Sequence, residues 1–152
     1  MLPMSNHKFV FAGDVVCEKQ PLFSSGLKEL FESAIVKKTG PHVSQNRDAA
    51  KWVKELGFNC FSLANNHIND YGKQALLNTM EQFPKSEIIG VGNEDEAYAM
   101  QVRTIEGVSY GFLAYGENGY GALNGDREFG HAWINAKRVN LDILKYKKQV
   151  DV

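Results

Sequence analysis

Residues 57–67 read GFNCFSLANNH and join a short apolar run to a cluster of polar side chains. The run over residues 58–64 is rich in aromatic and aliphatic residues and follows a glycine, which predicts a β-strand. Asn65, Asn66 and His67 come directly after it, at the carboxyl end of the predicted strand. Ligands of open α/β sheets bind at this edge. The stretch therefore predicts both a strand and a place for chemistry.

Strand and helix patterns alternate on both sides of this stretch. Apolar runs bounded by turn residues indicate strands, and apolar residues repeating every three or four positions indicate amphipathic helices. The predicted strands are residues 8–12, 58–64, 88–91, 101–105 and 108–115. The predicted helices are residues 27–31, 47–56, 73–83, a short segment after Asn93, and 135–148. Strands separated by helices favour an α/β fold, because each crossover helix buries its apolar stripe against the sheet.

Capping and turn residues support several of these bounds. Asn46 is predicted to cap the helix that Gly57 ends, and Asp70 is predicted to cap the helix that begins near Gly72. A capping-box pattern joins Asn93 to Glu96, and the turn at residues 106–107 indicates a hairpin. In the last helix, the side chains expected to face inward are Val139, Ile143 and Leu144.

Residues 115–130 contain five glycines and no periodicity, which predicts a long loop. Tyrosines and amides on a mobile loop suit recognition of a saccharide or a peptide-like polymer. The side chains with this character are Tyr115, Glu117, Asn118 and Tyr120. The alternative is that this segment is a disordered connector without a binding role. The remaining histidines, which we expect to be solvated, are His7, His42 and His131.

Composition limits the classes of protein that fit the chain. Its 152 residues, 43% hydrophobic and 23% charged, suit one globular domain. With 17 basic and 18 acidic residues, the net charge of -1 lacks the basic excess typical of nucleic-acid binding. No apolar stretch approaches the roughly 18 residues of a membrane span, and no signal peptide or anchor is visible, so a cytoplasmic protein is expected. Two cysteines are too few for a disulfide scaffold, and Cys60 is expected to be a buried thiol.

Asp14 and the cluster at residues 65–67 carry groups that suit metal chemistry. A carboxylate and an amide oxygen are ligands of hard or borderline divalent cations. An imidazole at His67 can ligate a metal or donate a proton to a leaving oxygen. The structural alternatives are that Gly13 and Asp14 form a plain turn and that the cluster caps the next helix.

The run of residues 57–67, followed by Asp70, Tyr71 and Gly72, resembles the signature of the bacterial capsule synthesis family of CapA-type poly-γ-glutamate capsule proteins. Residues 11–15 (FAGDV) are similar to the opening strand of that family and its metal-site aspartate. Segments at residues 91–97 and 110–115 follow in the family's order. The resemblance covers nearly the whole chain.

This resemblance implies a fold and a site. The family is similar to calcineurin-like metallophosphoesterases, hydrolases whose α-β-β-α layered sandwich holds two divalent metals. It implies that Asp14 and Asn66 are metal ligands, for Mn, Fe, Zn or Mg, and that His67 is the catalytic residue that protonates or stabilises the leaving group. Asn65 and Asp70, which flank them, are expected to contact substrate. The implied partners are an anionic polymer or phosphoester substrate and a membrane complex of capsule synthesis, since family members are often membrane-associated.

Two family motifs are absent from the sequence. A strand ending in Asn-x-Glu would stand before residues 58–64, and a strand ending in His-x-Gly would follow the last helix. We therefore expect residues 1–152 to be a single but partial domain, with a segment missing between residues 34 and 35 and more chain beyond 152. The leading hypothesis is a metal-dependent metallophosphoesterase-like protein of capsular poly-γ-glutamate synthesis or export. The alternative is a non-catalytic domain of the same fold that binds polymer or saccharide.

Overall fold

A computed structural model describes residues 46, 48–125 and 127–152 of the chain. Several predicted features lie outside these residues. They are the strand over residues 8–12, the helix over residues 27–31, the expected junction between residues 34 and 35, Asp14, Cys17, His7 and His42. The architecture below is that of the described residues alone.

Helices and short strands alternate through the described chain, as an α/β fold requires. The helices are α1 (Ala49–Glu55), α2 (Gly72–Met80), α3 (Glu94–Ala97) and α4 (Ala136–Tyr146), with a 3-10 turn at Lys85–Glu87. The strands are β1 (Phe61–Ser62), β2 (Ile88–Ile89), β3 (Val91–Gly92), β4 (Gln101–Ile105), β5 (Val108–Phe112) and β6 (Gly130–His131). The predicted α/β class is confirmed at this level, whereas the α-β-β-α layering stays a prediction.

The strands form three pairs. β1 and β2 are parallel, with Phe61 opposite Ile88, and α2 makes the crossover between them. β3 and β6 are antiparallel, as are β4 and β5. The predicted hairpin is confirmed, because both residues of its turn, Glu106 (φ 50°) and Gly107 (φ 83°), adopt the left-handed conformation of a tight two-residue turn. The β1–β2 pair places the polar cluster of residues 65–67 at its carboxyl edge.

Gly90 divides the segment that was predicted as one strand. Its φ of +80° turns the chain between β2, which pairs with β1, and β3, which pairs with β6. A Cβ at this position would lie 2.7 Å from the Cβ of Ala64 and 3.0 Å from that of Ala114. The close approach leaves no room for a side chain. Gly90 thereby lets the chain change partner strands next to the end of β1.

Two apolar clusters hold these elements together. One contains Leu76 of α2 with Ile88 and Val91, so it fixes α2 against the strands. The other contains Ala97, Tyr98, Leu123 and Ala132, with Tyr115 and Trp133 packed against it. Full burial of a large aliphatic side chain such as that of Leu76 contributes about 1.5–3 kcal/mol. The second cluster thereby packs residues 115–130, which we call the glycine-rich segment, into the core.

Helix α4 presents a different face to the core from the one predicted. Ile143 and Leu144 are 47% and 58% exposed, Val139 is half-buried, and the buried residue of the helix is Asp142. The Asp142 carboxylate accepts hydrogen bonds from Arg138 Nε (3.1 Å) and from the Tyr115 hydroxyl (2.9 Å). Burial, and then the hydrogen bond to Asp142, raise the pKa of Tyr115. Because a buried carboxylate needs such partners, this polar contact sets the rotation of α4.

Contacts between neighbouring residues set the ends of two other helices. Helix α1 begins at Ala49 with Asp48 as N-cap, so the prediction of Asn46 as the cap was wrong. Asn46 Oδ1 instead accepts a hydrogen bond from the backbone N–H of Asp48. The capping box of α3 is confirmed, with both the Asn93 and Glu96 contacts present. None of the helices in the described ranges has the length and apolar character needed to cross a membrane.

Candidate functional site

A tight polar turn over residues 65–70 follows β1. The side-chain oxygen of Asn65 accepts a hydrogen bond from the backbone N–H of His67 (2.7 Å). The Asn65 carbonyl accepts another from the N–H of Ile68 (3.1 Å). Asparagine favours such turns because its short side chain can bond the backbone two residues ahead. The turn reverses the chain and holds His67 at the carboxyl edge of the β1–β2 pair.

His67 and Asp70 form a hydrogen-bonded pair within this turn. The distance between His67 Nδ1 and Asp70 Oδ2 is 2.7 Å. The Asp70 side chain is 2% exposed, whereas that of His67 is 19% exposed. A carboxylate on Nδ1 fixes the orientation of the imidazole and directs its chemistry to Nε2. The pair is therefore built to present one ring nitrogen of His67 at a partly open surface.

This contact corrects the prediction that Asp70 caps the next helix. Helix α2 begins at Gly72 with Tyr71 as N-cap, and no side chain caps it. The Asp70 carboxylate faces the imidazole three residues before it instead. At 2.7 Å this contact has the short distance typical of hydrogen bonds that involve an ionised group. Asp70 thus stabilises the polar turn, and it does not cap α2.

Asn66, the predicted metal ligand of this turn, is half-buried beside the glycine-rich segment. A Cβ on Gly121 would lie 3.6 Å from the Asn66 carbonyl oxygen, so the two segments approach closely. An amide oxygen and an imidazole are suitable ligand types. No group of three or more histidine, cysteine or acidic side chains that could hold a metal occurs in the part of the chain that the structure describes. Asp14, the carboxylate predicted to share the metal with Asn66, lies outside the described residues, and the metal assignment stays a prediction.

His131 is buried, which corrects the expectation that it is solvated. Its exposure is 0%, and its ring Nε2 lies 3.0 Å from the Glu117 carbonyl oxygen. Because a carbonyl only accepts, Nε2 carries the proton, and Nδ1 has no hydrogen-bond partner among the described residues. A Cβ on Gly116 would lie 2.6 Å from the imidazole Cδ2, so the glycine is required there. No strand was predicted at this position, so the neighbouring glycines are the sequence signal for this burial.

Burial lowers the pKa of His131 below its ordinary value of 6.5, although the carbonyl groups of Glu117 and Gly121 oppose the shift. A depressed folded-state pKa means that the unfolded chain binds the proton more tightly. The contribution of neutral His131 to the free energy of unfolding is therefore complete above about pH 6.5, and it is lost as the pH falls through the folded-state pKa. As the pH falls from about 7.5 to 5, we expect the free energy of unfolding to decrease less steeply in His131→Gln than in the wild type.

Urea unfolding of both proteins across that pH range measures the two slopes, whatever the absolute stability of the variant. NMR titration of the wild-type imidazole gives the folded-state pKa directly. Equal slopes, or a His131 ring that titrates at or above its ordinary pKa, would contradict the assignment.

The glycine-rich segment packs against the second apolar cluster rather than forming a loose connector. Tyr115 lies against Tyr98 in the second apolar cluster, and Asp142 accepts its hydroxyl hydrogen bond. The carbonyl of Glu117 bonds His131, and its side chain is exposed. The exposed Asn118 accepts a hydrogen bond from Asn124 (2.8 Å). Of the predicted substrate residues in this segment, Glu117 and Asn118 lie at the surface, while Tyr115 has a structural role.

A pocket of about 200 Å³, which we call the basic pocket, opens beside the polar turn. It is lined by Asn69, Gly72, Lys73, Tyr120, Arg127, Glu128 and Phe129. The Lys73 ammonium lies 4.5 Å from the centre of the Phe129 ring, and the Arg127 guanidinium lies 5.6 Å from that of Tyr120. Among these residues the sequence pointed to Gly72, as part of the family signature, and to Tyr120. The others were missed because their spacing along the chain follows no motif.

Comparisons with known proteins connect this arrangement to capsule synthesis. The family model described as bacterial capsule synthesis protein PGA_cap matches residues 30–152, which include the polar turn and the basic pocket. The PGA biosynthesis protein CapA of Bacillus subtilis (strain 168) is 26% identical over 117 residues, covering 68% of this chain and 31% of that relative. The capsule biosynthesis protein CapA of Bacillus anthracis is 39% identical over 51 residues, covering 34% of this chain and 12% of that relative. The chain thus spans under a third of the length of either relative, and no solved structure matches it significantly.

Proposed function

This chain belongs to the bacterial capsule synthesis protein PGA_cap family, and from that premise we propose that it is a metal-dependent, metallophosphoesterase-like component of capsular poly-γ-glutamate synthesis or export. The family resemblance of the sequence is thereby confirmed. The names of both CapA relatives support the capsular role. The partners of this role are the anionic polymer or a phosphoester substrate, and a membrane complex that makes or exports the polymer.

The His67–Asp70 pair is the observation that carries the catalytic part of the proposal. Asp70 holds Nδ1, so Nε2 of a protonated His67 can donate its proton to the leaving oxygen as the phosphorus–oxygen bond breaks. Asn65 holds the backbone of His67 in the turn and thus limits its movement. Asp14 and Asn66 are proposed to hold divalent cations. Such cations, when bound, lower the pKa of a water molecule and neutralise charge on the phosphoryl oxygens.

Metal binding tests the ligand assignment without relying on a substrate. We expect Asp14→Ala and Asn66→Ala each to weaken Mn²⁺ binding by at least about tenfold, because each removes an oxygen ligand. Isothermal titration calorimetry measures the affinities. Asn118→Ala is the matched control, since Asn118 is an exposed asparagine whose side chain contacts Asn124. Wild-type affinity in both ligand variants would show that the metal, if bound, is held elsewhere.

A non-catalytic polymer-binding role is the second candidate. The basic pocket favours it, because cationic and aromatic side chains beside one another suit an anionic polymer. The glycine-rich segment contributes Tyr120, Arg127 and Glu128 to this pocket, although not Tyr115. Polymer binding that persists without divalent metal, together with no hydrolysis at any metal concentration, would favour this role over the first.

A further inference from the structure

We propose that the basic pocket binds one carboxylate-bearing residue of the capsular poly-γ-glutamate chain beside His67. This inference rests on the proposed capsular role but not on catalysis. Asn69, which lines the pocket, belongs to the same turn as His67 and Asp70. A polymer residue held there lies against the turn that carries His67.

Three sources of positive potential converge on the pocket. Lys73 and Arg127 supply formal charges from α2 and from the glycine-rich segment. Helix α2 begins at the pocket with nine residues and no side-chain cap, so its positive dipole end faces the same space. Among the described lining residues, only Glu128 opposes this charge. The pocket is therefore suited to an anion.

The buried Asn69 holds the arginine in place. Asn69 is 3% exposed, and we assign its amide with the oxygen towards Arg127 Nη1 (2.5 Å) and the nitrogen towards the Gly72 carbonyl (3.3 Å), the orientation in which both contacts are hydrogen bonds. This contact uses one edge of the guanidinium. An arginine whose orientation is fixed in advance loses less entropy when its remaining N–H groups bind a carboxylate. The turn that orients His67 thereby also orients Arg127.

Glu128 forms an ion pair with Lys73. Its carboxylate lies 2.7 Å from the Lys73 ammonium, although 55 residues separate the two in sequence. Both side chains are well exposed, at 52% for Lys73 and 76% for Glu128. An exposed ion pair contributes little to stability, so a carboxylate from outside can replace it at little cost. We infer that Glu128 occupies the position of a ligand carboxylate.

The size and walls of the pocket indicate one residue of a polymer rather than a whole small molecule. Its volume of about 200 Å³ is below the range of roughly 300–1,000 Å³ for drug-sized ligands. Tyr120 is 58% exposed and offers an aromatic face to the methylene groups of a glutamyl unit. Poly-γ-glutamate presents one carboxylate per residue, and arginine binds carboxylates in a bidentate manner.

Binding of a fluorescein-labelled γ-glutamate decamer, followed by fluorescence anisotropy in EDTA and about 50 mM NaCl, tests the assignment. We expect Lys73→Gln and Arg127→Gln each to raise the Kd about five- to tenfold, because each removes a charged hydrogen bond. Glu128→Gln should lower the Kd about two- to fivefold, because it releases Lys73. Lys51→Gln is the matched control, since Lys51 also forms an exposed ion pair, with Glu55 at 3.8 Å.

Four results would overturn the proposal. The first is no decamer binding by the wild-type chain, and the second is unchanged binding by both cationic variants. The third is an equal loss of affinity in Lys51→Gln, which would indicate net charge rather than a site. The fourth is displacement of the decamer by low concentrations of inorganic phosphate, which would assign the pocket to phosphate. Asn66→Ala separates this inference from the catalytic proposal, because it should lose Mn²⁺ binding and keep decamer binding.

Discussion

Replacing His67 with glutamine is expected to lower kcat by about 10²- to 10⁴-fold for a phosphodiester with an alkyl leaving group, the range that general acid catalysis contributes. The same substitution should have a much smaller effect on a p-nitrophenyl phosphodiester, because that leaving group departs without a proton. Steady-state kinetics with the two substrates in Mn²⁺ measure the difference. Mn²⁺ affinity, which does not depend on proton donation, should remain close to wild type.

Asp70→Asn provides the companion variant. It keeps the size of the side chain but removes the charge that faces His67 Nδ1 at 2.7 Å. We expect kcat for the alkyl phosphodiester to fall about 10- to 100-fold, as for other partners that orient a histidine. The double variant should be no slower than His67→Gln alone, because Asp70 acts through His67. Equal losses with both leaving groups would exclude proton donation, and no wild-type hydrolysis with any divalent metal would exclude the enzymatic proposal.

Gly90→Ala is expected to lower the free energy of unfolding by about 2 to 5 kcal/mol. Part of the loss, about 1–2 kcal/mol, arises because alanine disfavours the left-handed backbone conformation at φ +80°. Overpacking adds about 1–3 kcal/mol, since the new Cβ would lie 2.7 Å from that of Ala64. Chemical denaturation followed by circular dichroism gives the difference. If the variant does not fold at all, the prediction is met at its upper limit.

Gly119→Ala is the control for this substitution. Gly119 lies in the glycine-rich segment, has no positive φ, and a Cβ there would meet nothing within 4 Å. Alanine at this position should be neutral or slightly stabilising, because it reduces the freedom of the unfolded chain. Equal stability of the two variants would show that the close approach of Gly90 to Ala64 does not constrain the fold.

Local motifs were the part of the fold that the sequence predicted well. The capping box of α3 joins Asn93 and Glu96 over three positions. The hairpin turn depends on two adjacent residues, Glu106 and Gly107. Gly57 ends α1 as expected, with a φ of +90°. Each of these features forms between neighbours in the chain, so its residues are visible as a short pattern.

Features that depend on distant partners were missed. The core-facing side of α4 is set by Asp142, whose carboxylate bonds Tyr115, 27 residues away. His131 is buried because Gly116 and Gly121 leave space for its ring. The pair between Lys73 and Glu128 crosses 55 residues. No periodicity records such contacts, since each depends on how separate segments pack.

For the candidate site, the sequence by itself predicted a strand before the polar cluster, of which the structure keeps Phe61–Ser62, and it determined the side-chain types of Asn66 and His67 and the family. These follow from short runs of residues whose chemistry acts locally. Only the tertiary structure decided that Asp70 holds His67 instead of capping α2, and that Lys73 and Arg127 meet beside them. The physical reason is that a charged side chain takes the strongest partner that packing brings within reach, and that partner is chosen by the whole fold.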